Sequence, residues 1–110
     1  MPLPGALEGR LKVPAIAAPM FLVSGPDLVV ETARSGVLGT FPALNQRSTG
    51  GYADWLKEIE DRLSAASKGS AQPAPFGVNL IVHSSNPRLE ATSRARSTTR
   101  CLSLSLLLAR

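Results

Sequence analysis

The hydrophobic pattern of this chain switches between two periods. Val13-Pro14-Ala15-Ile16-Ala17-Ala18 is apolar at every position, the pattern of a parallel strand covered on both faces. Pro19 has no N–H to give a strand ladder and closes the run, so Ala18-Pro19-Met20 is its carboxyl end. The period then becomes helical, with Leu28, Val29, Thr32 and Ala33 on one face. This predicts a helix over 25–35. Ser24 is the expected N-cap, with Asp27 reaching back as in a capping box, Pro26 in the first turn and Gly36 at the C′ position.

Val37–Phe41 is a second short strand, closed by Pro42, and the loop 43–51 carries Asn45, Gln46 and Arg47. A second helix is expected to begin between Thr49 and Tyr52. Trp55, Leu56, Ile59 and Leu63 form its apolar stripe; Asp54, Lys57, Glu58, Glu60, Asp61 and Arg62 form its polar face. Ser67–Pro75 is a linker without apolar period. Phe76–Val82 is a third strand with His83–Pro87 as its exit loop. The β-α-β-α-β order predicts an α/β fold with a parallel sheet and right-handed crossovers. The strand ends 18–20, 41–44 and 79–83 then share one rim, where parallel α/β folds bind ligands.

After Glu90 the character changes. Residues 91–110 hold Ser, Thr, Arg and Leu in no clean helical period. No third helix and no fourth strand are expected there. The segment reads as an aberrant or disordered basic tail joined to a domain over 1–90, as a shifted reading frame would produce.

Charge adds little to this picture. The net charge is +4, yet residues 1–90 contain eight Lys/Arg and eight Asp/Glu. The excess is Arg94, Arg96, Arg100 and Arg110. No aromatic follows Phe76 to stack bases, so no nucleic-acid partner is expected. Cys101 is the sole cysteine, which excludes an internal disulfide and a cysteine-based metal site. Glu8, Arg10 and Lys12 interrupt any apolar run near the start, so no signal peptide is expected. The late apolar stretch 102–109 falls short of the ~20 residues of a membrane span. A cytoplasmic protein without membrane partners is the expectation.

The motifs carry a resemblance. VPAIAAPMFLVSGPDLV, SGVLGTFPALNQR at Ser35–Arg47 and PFGVNLIVHSSNPRLE at Pro75–Glu90 are similar, in order and spacing, to the start of the nitronate monooxygenase (2-nitropropane dioxygenase) family. The resemblance implies a truncated TIM (β/α)8 barrel: such barrels need ~250 residues, and this chain supplies about three of the eight strands. It also implies an FMN-dependent oxidoreductase that uses O2 to convert nitronates to a carbonyl compound and nitrite, here as an incomplete and inactive fragment. An FMN-type enoyl-ACP reductase shares this barrel start. A small non-catalytic α/β binding module is the reading from another class.

Ala18, Pro19 and Met20 are, by the resemblance, a wall beside the flavin ring. Small residues let backbone approach a ring, and Met is a soft, adaptable surface; a plain strand end with a buried Met has the same pattern. Asn79 lies between Val78 and Leu80, where an amide costs free energy unless it is hydrogen-bonded. A neighbouring backbone could satisfy it, or the flavin that the resemblance implies. His83, the only histidine, sits at a strand's carboxyl end. The family's base is a histidine from a later barrel segment, so that role is not carried onto His83. Cys101 has no second histidine to activate it.

Overall fold

Gly36 turns the chain from its first helix into its second strand. In the computed structural model, which describes residues 3, 5, 7–67, 73–97 and 102–106, helix α1 spans Pro26–Arg34. It ends in a Schellman motif: Gly36 N–H bonds Ala33 O at 3.1 Å and Val37 N–H bonds Thr32 O at 3.2 Å. The motif needs a residue at positive φ, and Gly36 adopts +88°, a region open to glycine without steric cost. The C′ glycine is where the pattern places it.

The remaining elements are β1 (Ile16–Ala17), β2 (Leu38–Pro42), a 3-10 turn (Ala43–Asn45), α2 (Thr49–Ala66), β3 (Phe76–Ile81), α3 (Leu89–Ser97) and β4 (Leu102–Leu106). Ser48 caps α2 by accepting Gly51 N–H at 3.0 Å. The strands lie in the order β1-β2-β3-β4, every pair parallel. The expected parallel α/β sheet is present. No strand reverses the winding order, so the described sheet has no topological switch point of the doubly wound kind.

One face of the sheet is the core. Phe41, Phe76, Val78 and Leu80 meet Val29, Val30 and Ala33 of α1 and Tyr52, Leu56, Ile59 and Leu63 of α2, with Leu89 and Ala95 of α3 packed against them. Phe41 lies edge-on to Trp55 at 5.7 Å and tilted to Tyr52 at 6.2 Å, geometries that aromatic quadrupoles favour. Gly39 lets α1 seat on β2: a Cβ there would stand 2.7 Å from Val29 O. Arg62 of α2 reaches Asp27 of α1 at 2.7 Å. That hydrogen bond holds the Arg62 guanidinium above its ordinary pKa, but the pair is exposed and solvent-screened.

Four expectations are corrected. The apolar run 13–18 is not a doubly covered strand. Only Ile16 and Ala17 pair, and Val13 and Ile16 remain half exposed. Pro14 has no N–H for a ladder, and among the described residues β1 has a neighbour on one edge alone and no β1 residue joins the core cluster. Second, Ser24 does not cap α1. The N-cap is Gly25, with no side-chain cap bond, and Asp27 turns outward to Arg62 instead of reaching back. Third, Pro42 ends β2 from inside it, paired in register with Asn79.

The fourth correction concerns the tail, where a helix and a strand are present. In α3, Thr92 is buried with its hydroxyl turned back to Arg88 O and Leu89 O, at 2.7 and 3.1 Å. Its polar atom is thus satisfied on an inward face that the residue type disguises. Strand β4 follows the Leu-Ser-Leu-Ser-Leu alternation, which has a strand's period of two rather than a helix's. Arg94, read as an unopposed charge, pairs with Glu90. Arg100, Cys101 and Arg110, and linker residues 68–72, lie outside the described residues.

Candidate functional site

Three loops leave the carboxyl ends of β1, β2 and β3 and share one rim. The β1 loop, residues 18–25, carries the expected wall. Ala18 and Met20 are exposed and Pro19 is half-buried. Met20 is tied at both backbone groups. Its N–H donates to Ser24 Oγ at 2.9 Å, and its carbonyl accepts from Ser24 N–H at 3.0 Å and Asn45 Nδ2 at 3.0 Å. Ser24 therefore caps this turn rather than the helix. Thr40 of β2 donates its hydroxyl to Ala17 O, which pins the last paired residue before the turn.

Asn79 contributes from β3. In register it lies between Pro42 of β2 and Leu104 of β4. Its Oδ1 is buried without a hydrogen-bond partner among the described residues. Buried polar atoms are satisfied in the great majority of cases, and an orphan acceptor costs roughly 1–3 kcal/mol. Pro42, the partner of Asn79 in register, is the last residue of β2, while the β1 pairing ends at Ala17.

His83 stands apart from this arrangement. It is exposed, and its Nδ1 accepts Ser85 N–H at 3.1 Å and contacts Ser85 Oγ at 2.7 Å. Both contacts lie within its own exit loop and hold the ring there.

Sequence reasoning missed the residues that join the three loops. Asn45, in the 3-10 turn after β2, bonds the β1 loop at Met20 O, Ser24 O (2.8 Å) and Leu22 N (3.0 Å). Arg88, after β3, donates Nη1 to Gln46 O at 2.7 Å, while its Nε and Nη2 are buried without a partner among the described residues. Asn86 holds the β3 loop by donating to Ile81 O and accepting Arg88 N–H. The only signal for Asn45 and Arg88 was a polar residue in a strand's exit loop; their targets lie 21 to 42 residues away in sequence.

Among the described residues no cluster of His, Cys, Asp or Glu could hold a metal, and no helix is long and apolar enough to cross a membrane. No protein-family model and no curated protein matches the chain.

Proposed function

We propose that this chain is the amino-terminal part of a TIM barrel of the FMN-dependent nitronate monooxygenase type, whose reaction oxidises nitronates with O2 to a carbonyl compound and nitrite. The single observation that carries the reading is the Asn79 Oδ1, buried without a partner among the described residues in β3, beside Pro42 at the end of β2. The sequential strand order supports the barrel, because each crossover that returns to the same face continues a barrel wall. On this reading Ala18, Pro19, Met20 and Asn79 hold one edge of the FMN ring. FMN, when bound, supplies the redox chemistry. The chain's own residues bind and orient: Asn79 Oδ1 accepts a ring N–H, and the pinned Met20 backbone sets the ring's distance from β1.

The base that takes the α-proton of a nitroalkane is not assigned within this chain, since His83 Nδ1 is engaged by Ser85. Losing a positioned base alone costs about 10²–10⁴-fold. The expected result is therefore weak FMN binding, abolished by Asn79→Ala, with no measurable oxygen uptake on propyl nitronate. FMN affinity equal in wild type and Asn79→Ala would overturn the site. Turnover within tenfold of an intact nitronate monooxygenase would return His83 to the catalytic machinery.

A further inference from the structure

Leu22 adopts φ +63°, the only positive φ at a non-glycine residue among those described. A bulky side chain rarely occupies this region, and it persists only where surrounding bonds over-determine it. Those bonds come from one side chain. Asn45 spends both Nδ2 protons on Met20 O and Ser24 O, and its Oδ1 on Leu22 N–H. Ser24 closes the turn from within through Met20 N–H. Yet the turn buries none of its apolar side chains for this effort: Phe21, Leu22 and Val23 are 69, 77 and 66 % exposed. Core packing does not explain a strained, five-residue turn held by a complete amide. What the bonds fix is the position of Met20 and the backbone beside it.

We infer that Asn45 is a positioning residue: it locks the Met20–Ser24 turn so that the Ala18–Met20 wall is set before any ligand arrives. The inference rests on the flavin reading for what the wall contacts. The lock itself is a property of this chain alone. A pre-set wall spares the ligand the ordering cost of the loop, so breaking the lock lowers affinity without altering the core.

The test uses the full chain, isotope-labelled, with Asn45→Ala, Leu22→Gly and the double variant. Amide exchange and the intraresidue HN–Hα NOE of residue 22, strong only at positive φ, read the lock. Exchange at Val78 and Leu56 reads the core, and quenching of FMN fluorescence reads the site. In Asn45→Ala the expected outcome is at least tenfold faster exchange at Leu22, an NOE that weakens to the intensity of negative φ, and unchanged core amides. FMN affinity falls about tenfold. In the double variant the glycine at position 22 enters the left-handed region without strain, and part of the affinity returns. An unchanged Leu22 NOE and exchange in Asn45→Ala overturns the lock. A lost lock with unchanged FMN affinity overturns the positioning role. A wild-type chain that binds no FMN overturns the flavin reading and the positioning role with it, while the exchange data still decide the lock.

Discussion

β1 and β3 look alike as sequences and differ as strands. Each is a near-continuous apolar run ending at the same rim. β3 lies between two neighbours and beneath the helical layer, with Val78 fully buried and Phe76 and Leu80 nearly so. β1 pairs over two residues on one edge and leaves Ile16 half exposed. An apolar run states what a strand tolerates; its neighbours decide whether it is buried. The contrast extends to the loops. The loop after β3 is held by its own residues, Asn86 and Ser85. The loop after β1 depends on Asn45, from the next crossover.

The greatest loss in this contrast is expected at the core. Phe41→Ala removes a fully buried ring that contacts Tyr52 and Trp55 and is expected to cost about 3–5 kcal/mol, read from the midpoint of urea unfolding. Gly39→Ala comes next. Its new Cβ meets the Val29 backbone, which cannot fold aside as a side-chain tip could, so α1 must lift from β2 at about 1–3 kcal/mol. An unchanged midpoint would mean that α1 is not seated as described.

A weaker response of opposite sign is expected at Asn79. Asn79→Leu removes the orphan acceptor and stabilises the fold by about 1 kcal/mol, while abolishing FMN binding. A residue whose loss improves stability and ruins binding serves the site rather than the core. Destabilisation by Asn79→Leu would indicate that the amide is satisfied in solution.

The mildest change is expected at the edge. Ile16→Lys alters an exposed side chain and shifts stability by no more than about 0.5 kcal/mol. It places a charge on an unpaired strand edge, the usual guard against edge-to-edge association. Light scattering should therefore fall at equal concentration. A large loss of stability would show that β1 is covered after all.

Much of the scaffold was legible because it depends on local pattern. Gly36 marked the end of α1 through its tolerance of positive φ. The stripe at Leu56, Ile59 and Leu63 marked the inward face of α2, and the β-α-β order implied parallel pairing. The tail was misread because Thr92 is polar by type yet satisfied by its own helix, and because its Leu-Ser alternation was weighed against a helical period. At the rim, Asn79 was visible as an amide in an apolar strand. Asn45 was visible only as a loop residue, and its role was not.

Local pattern thus set where the chain turns, which helical faces are apolar and in what order strands and helices follow, since these rest on residues within about one helical turn of one another. Two other outcomes arose only when distant segments met. β1 was left at an edge, because burial needs partners on both sides. And Asn45 came onto a turn more than twenty residues away, because a parallel crossover returns the chain to the same rim, where an amide can bond backbone that no local spacing places beside it.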